Sequence, residues 1–375
     1  NSATEKSDAT ELLEPRLMWQ NVLFDRRLES QVAPGPRRHP VPIPGMPDQF
    51  RIKDSSERPF GRVAFIGHDI VCHQAGHRLI ASELATGEPL WMFDGLPLGC
   101  ELFGDNRVVI ATSLETRDIY VLSTLDGRLL SRQVGAAASQ IATVGRHVLT
   151  WTPLEDDRQL RMFDPLSETD ILTQRFPHGS LPCVSQGDTV AVLEPTGRFT
   201  MWSLQNGERL LEQNLPPIEH VTHFVVLRDR ERWVLLTHVE EPVPIDKPRP
   251  RVSVLYFDHW SVHGPAFAFD RATGKQLWTT TLDWHGVQAA QPADSPALML
   301  ASRVHNYVGL EQRPGDLSKF HVSVLDKRNG RVLPLESGLR PDRSNFADIR
   351  PNFADKTIDV QIERDLHRLT FEGKK

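Results

Sequence analysis

The feature that most constrains this chain is a repeat. Ala268 through Trp278 reads A-F-D-R-A-T-G-K-Q-L-W, and Ala81 through Trp91 reads A-S-E-L-A-T-G-E-P-L-W, with the small residue, the acid, Thr-Gly and the Trp at the same offsets. Weaker copies share the frame at Asp126-Gly127, Ser167-Glu168, Asn206-Gly207 and Asn329-Gly330. Taking the turn residue as marker, the positions are 87, 127, 168, 207, 274 and 330, and the first three intervals are 40, 41 and 39. A chain that repeats a unit at such a period folds as an array of equivalent units stacked on one another.

The spelling of the unit has a physical reason. A strand ends at the acid, and Thr-Gly, Asp-Gly or Asn-Gly supplies a residue that tolerates positive φ. The next strand then opens with apolar alternation. Each copy is therefore a hairpin. Further β-rich runs lie between the copies at Arg107 to Thr112, His147 to Trp151, Thr189 to Leu193, Trp233 to Val239 and Ala297 to Val304. Two runs plus a hairpin give four strands per period, which is the blade of a β-propeller. The fold class is thus all-β, a propeller of four-stranded antiparallel blades. Trp151, Trp202 and Trp233 read as core between blades.

Six hairpins are followed by three further strands near 345–349, 357–362 and 367–371. The count points to seven blades, with six and eight as the alternatives. A strand from the segment before Pro59 is expected to complete the last one. Residues 60–372 then form the propeller, and 10–59 an arm: apolar Leu12, Leu13, Leu17, Val22, Leu23 and Leu28 suit a helix, and Pro34, Pro36, Pro40, Pro42, Pro44 and Pro47 an extended stretch. Residues 1–9 read as a disordered tail by composition.

The pattern A-x-D-x-x-T-G-K-x-x-W at 268–278 resembles the tryptophan-docking motif of pyrroloquinoline-quinone-type propellers. That repeat occurs in bacterial quinoprotein dehydrogenases, in outer-membrane assembly propellers and in the repeat-bearing parts of larger bacterial proteins. The resemblance implies that Trp91 and Trp278 pack on the turn of the neighbouring blade, with Gly87, Gly127, Gly207, Gly274 and Gly330 as the turn positions. Elsewhere the Trp position holds Ser131, Leu172, Leu211 or Pro334, so those blades must close by simpler apolar packing. It further implies an extracytoplasmic home, in the periplasm or cell envelope, for a chain that reads as part of a longer one and shows no export signal.

Chemistry is hard to find in the sequence. A quinone-dependent dehydrogenase of this repeat family would carry adjacent cysteines and more blades. The three cysteines, Cys72, Cys100 and Cys183, are scattered. No cofactor is implied, and no G-x-S-x-G, G-x-x-x-x-G-K, H-E-x-x-H or G-x-G-x-x-G occurs. The 43 basic and 49 acidic residues are intermixed, for a net charge of -6, so no broad cationic face suits nucleic acid. No apolar run is long enough for a transmembrane helix. Asp258, His259 and His263 form the best candidate metal set, since imidazole and carboxylate at that spacing could share a transition ion.

The marker intervals widen to 67 and 56 before the fifth and sixth hairpins. The surplus falls in the connection from the second to the third strand of each blade, so both insertions, about 240–263 and 305–319, leave one face of adjacent blades. Long loops on a rigid scaffold are where function concentrates. Tyr256, Phe257, Trp260 and Tyr307 would supply contact area there. The alternative is that the first insertion folds down as an extra strand or plug with its aromatics buried. The sequence therefore points to a non-catalytic scaffold for a protein partner, or else to a metal-dependent or hydrolytic enzyme with its site at the mouth of a central channel.

Overall fold

The computed structural model describes residues 39–43, 46–53, 59–113, 115–185, 188–240, 249–252, 259–288, 295–302, 304–307, 320–339, 347–352, 355, 357–362 and 365–370. These residues contain strands and no helix. The tail at 1–9 and the helix expected within 10–28 lie outside them.

Two compact units result, one of Asn1–Ile43 and Asp48–Ala137 and the other of Pro44–Pro47 and Ala138–Lys375. In the first, β1 (His39–Ile43), β2 (Met46–Lys53), β3 (Pro59–Ile66), β4 (Ile70–Ala75), β5 (Arg78–Glu83) and β6 (Pro89–Asp94) make one antiparallel sheet in sequence order. A four-stranded sheet follows, of β7 (Glu101–Gly104), β8 (Val108–Thr112), β9 (Ile119–Ser123) and β10 (Leu129–Gln133).

The second unit begins with two four-stranded meanders. They are β11 (Gln140–Val144), β12 (His147–Pro153), β13 (Asp157–Asp164) and β14 (Thr169–Pro177), then β15 (Leu181–Ser185), β16 (Thr189–Leu193), β17 (Arg198–Ser203) and β18 (Arg209–Asn214). A seven-stranded sheet follows, built from β19 (Val221–Arg228), β20 (Arg232–Val239), β22 (His259–Asp270), β23 (Gln276–Gln288), β24 (Ala297–Ser302), β26 (Phe320–Asp326) and β27 (Val332–Leu339). The intervening β21 (Arg249–Val252) and β25 (Val304–Tyr307) pair with each other. Last come β28 (Ala347–Asn352), β29 (Thr357–Ile362) and β30 (Asp365–Thr370), three strands among the described residues. The segment before Pro59, from which a strand for the last blade was expected, runs as β1 and β2 on the sheet of β3–β6.

All six hairpin turns have one geometry. The amide of Gly87, Gly127, Glu168, Gly207, Gly274 or Gly330 donates to the carbonyl four residues earlier at 2.8–2.9 Å. Each of these residues has positive φ, from 57° at Glu168 to 74° at Gly330. The acid that opens the turn is a hydrogen-bond acceptor: Asp270 Oδ1 takes the amides of Ala272 and Thr273 at 3.1 and 2.7 Å and the Thr273 hydroxyl at 2.7 Å. The Thr273 hydroxyl is the leading cause that holds the Asp270 carboxyl below its ordinary range.

Past the turn comes a recurring irregularity. In five blades the ladder skips the residue three after the marker, namely Leu90, Leu130, Ile171, Leu210 and Leu277. Such a bulge resets the in-out alternation of an outer strand. The skipped leucines stay 37–51% exposed while Trp91, Leu172, Leu211 and Trp278, one residue later, are buried.

Burial grades across each blade. The inner strands β8, β16 and β24 are buried at every position, and their sequences VVIAT, TVAVL and ALMLAS are near-continuous apolar runs. Such runs suit strands covered on both faces. The outer strands β6 and β18 each bury one residue, the one at the docking position.

Candidate functional site

Docking of one blade on the next explains why the turns at positions 127 and 330 must be glycine. The indole of Trp91 lies so close to Gly127 that a Cβ there would stand 2.4 Å from Cε3, and Trp91 Nε1 donates to the Thr124 carbonyl at 2.7 Å. Trp278 does the same further along: a Cβ on Gly330 would stand 2.7 Å from its Cε3, and its Nε1 donates to Lys327 O at 2.8 Å. Thr124 and Lys327 both stand three residues before the turn glycine. Without the Trp the contact survives in reduced form. Leu211 Cδ1 faces Gly274, with Gln213 Nε2 donating to Gly274 O at 3.0 Å, and Ile171 faces Gly207.

The connections that lengthen the fifth and sixth blades meet each other. β21, in the first insertion, pairs antiparallel with β25, in the second: Arg249 opposite Tyr307, Pro250 opposite Asn306, Arg251 opposite His305 and Val252 opposite Val304. β21 also lies against β23. The insertions are 241–258 and 303–319, narrower and wider respectively than the sequence spacing implied, because Trp260 to His263 already belong to β22 and Val304 opens β25.

β23 itself serves two blades. It pairs with β22 of the fifth along its length, from Gln276 to Gln288, and Gly286 and Val287 pair on their other side with Ala301 and Leu300 of β24 in the sixth. The β22 ladder shifts register between Val262 and Gly264.

At that level the blade carries a row of rings. His223 on β19 is opposite His238 on β20, and His238 is opposite His263 on β22. His223 and His238 stack at 4.5 Å between centroids, Trp284 meets His238 edge-on at 5.3 Å, and His263 stacks on Trp284 at 4.4 Å. His223 Nε2 lies 2.9 Å from Ser261 O. Nδ1 of His238 and of His263 are buried without a hydrogen-bond partner. His263 Nδ1 lies 3.9 Å from Asp283 Oδ1. Burial first, then neighbouring His223, pushes the His238 pKa down to about 4.

Stacked imidazoles point their ring nitrogens along parallel planes, so they do not converge on an ion. Among the described residues no group of three His, Cys, Asp or Glu side chains could hold a metal. Of the set Asp258, His259 and His263, Asp258 lies outside those residues and His259 sits in β22 opposite Gln288. Of the aromatics expected to contact a partner, Tyr256 and Phe257 also lie outside them, and Tyr307 sits in β25. Trp260 is half-buried and packs on the cluster containing Val262, Val287 and Leu300. His238 and Trp284 escaped the sequence reading, although a mirror reading about the hairpin would have found His238: it stands as far past Trp233 as His223 stands before Arg228.

A cleft of about 380 Å³ opens beside the fourth and fifth blades, lined by Gly179, Leu181, Leu193, Glu194, Pro195 and the linker Pro217 to Val221. His220 holds φ at 57°, and its carbonyl accepts the Glu240 amide at 3.0 Å, which ties the linker to the foot of the first insertion.

No protein-family model matches the chain, and no curated protein matches it in sequence. Solved structures similar to it include BamB from Moraxella catarrhalis, 13% identical over 89% of this chain and 85% of that one, with a TM-score of 0.32. The dihydro-heme d1 dehydrogenase NirN in complex with DHE is 13% identical over 89% and 71%, at 0.35. The WD40 domain of SCAP from fission yeast is 9% identical over 88% and 95%, at 0.42. The fold of the described residues is all-β, with the four-stranded antiparallel sheets of a β-propeller.

Proposed function

We propose that this chain is a non-catalytic scaffold that binds a protein partner through the face bearing the 241–258 and 303–319 insertions. The observation that carries the reading is the pairing of β21 with β25. Two insertions from adjacent blades that hydrogen-bond to each other hold a fixed arrangement at smaller entropic cost than two free loops. β23, common to both blades, fixes the base on which they stand. Tyr256, Phe257 and Tyr307 are the contact residues in this reading, with Trp260 packed on the core that includes Val262 and Val287.

The resemblance of the repeat to that of envelope propellers supports an extracytoplasmic setting, and a place within a longer bacterial protein. The test is capture of partners from native extract on the full chain and on a chain whose residues 241–258 are replaced by a short Gly-Ser bridge. A partner held only by the intact chain supports the reading. Equal capture by both, or by a folded Tyr256→Ala, Phe257→Ala, Tyr307→Ala triple variant as well as by the parent, overturns it.

A further inference from the structure

We propose that the cleft lined by Glu194 and by Pro217 to Val221 receives a lysine or arginine side chain from an extended segment of the bound partner. The inference rests on the partner-binding reading and names the chemistry of one contact within it.

Charge complementarity argues for a cation. The lining contains two carboxylates, Glu194 and Glu219, and no Lys or Arg. The Glu194 side chain is 7% exposed. Its partner Arg198 lies 3.5 Å from it and makes its short bonds elsewhere: Nε and Nη2 lie 2.9 and 2.8 Å from Glu212 Oε1. One guanidinium thus serves two carboxylates, and the more buried of them holds the longer contact. Desolvating a carboxylate is costly unless it is paired. A cation entering the cleft would complete that pairing, and Glu219, exposed at the rim, would add to the attraction.

The remaining lining argues for the stem. Leu181, Leu193, Pro195, Ile218 and Val221 form apolar walls. Lys and Arg bury a hydrocarbon stem while the charged head seeks polar partners. An apolar side chain would add no counter-charge for the two carboxylates, and an anion would be repelled. The volume is near the lower end for ligand sites, which suits one long side chain rather than a whole cofactor. Position argues for a protein as the carrier, because the cleft wall at His220 is hydrogen-bonded to Glu240, the residue from which the first insertion departs.

The test uses the full chain and small probes that mimic the two side chains. n-Butylguanidinium and n-butylammonium are titrated while amide and methyl NMR signals are followed, with n-butanol and butyrate as neutral and anionic comparators. Both cations should shift Leu193, Ile218 and Val221 signals with millimolar affinity that weakens with salt. Glu219→Gln, at an exposed position that leaves folding intact, should weaken binding by at least about threefold, the scale of one partly solvated charge contact. Glu194→Gln should weaken it further.

Absence of shifts at these residues, equal binding of n-butanol, or unchanged affinity in Glu219→Gln overturns the proposal. Replacement of 241–258 separates the two readings. Partner capture without cation binding removes the cleft assignment alone, and cation binding with no insertion-dependent partner removes the recognition reading alone.

Discussion

Replacing Gly127 by alanine should destabilise the first unit by more than the backbone conformation explains. At φ +69° an L-residue costs about 1–2 kcal/mol on its own. The new methyl would also stand 2.4 and 2.7 Å from Cε3 and Cδ2 of Trp91. The ring cannot retreat freely, because it is 8% exposed and its Nε1 is held by Thr124 O at 2.7 Å. Overpacking of this kind costs about 1–3 kcal/mol, so the sum is about 2–5 kcal/mol. Gly76 supplies the control: it has φ +62°, and a Cβ there would meet nothing within 4 Å, so Gly76→Ala should cost only the backbone share. Urea denaturation of the two variants, with the slope checked for constancy, measures the difference. A Trp91→Leu background should shrink the excess, which a double-mutant cycle reads as coupling between positions 91 and 127. Equal costs for Gly127→Ala and Gly76→Ala, or zero coupling to Trp91, would refute the docking argument.

The second unit should lose stability between pH 6.5 and pH 4. The folded pKa of His238 is depressed to about 4, so the unfolded chain takes up the proton first as pH falls; carried through the whole window this is about 3 kcal/mol, and His238→Phe should flatten that part of the denaturation profile. Trp278→Leu should cost about 2–4 kcal/mol, since it leaves a void and removes the donor to Lys327 O; its denaturation midpoint should still exceed that of Trp278→Ala, because Leu211 fills the same position in the preceding blade. Burial pushes the Cys72 and Cys183 thiols up to about 12 and 11; a thiol reagent at pH 7.5 should label the fully buried Cys72 only as its unit unfolds, and the partly exposed Cys183 sooner.

The repeat was legible because its physics is local. A turn that closes with an amide bonded four residues back demands positive φ at one position, and the sequence marks that position with glycine five times and with Glu168 once. The outer-strand bulge was not legible: Leu90, Leu130, Leu210 and Leu277 look like ordinary alternating strand residues, and only the cross-strand register shows that they are skipped. Nor was the pairing of the insertions, since Arg249 and Tyr307 are far apart in sequence and neither run carries a turn between them to announce a hairpin. The histidine row fell between these cases. His263 stood in a recognisable motif, but its link to His223 through Trp284 and His238 depends on register across four strands.

The uneven use of tryptophan follows from what the docking contact requires. A glycine with positive φ leaves a flat, Cβ-free surface, and any side chain that reaches it gains apolar contact. Leu211 and Ile171 do so at Gly274 and Gly207. What tryptophan adds is the Nε1 donor, which bonds a turn carbonyl of the next blade. The two tryptophans therefore add a directional bond to the apolar contact between neighbouring blades, a part that Gln213 takes beside Leu211 at Gly274. Trp278 makes its contact between the fifth and sixth blades, the pair that carries the insertions and is joined by β23. If those insertions must present a defined surface to a partner, the angle between their two blades is the quantity that has to be held. A loosened Trp278 would then weaken partner capture before it unfolds the chain.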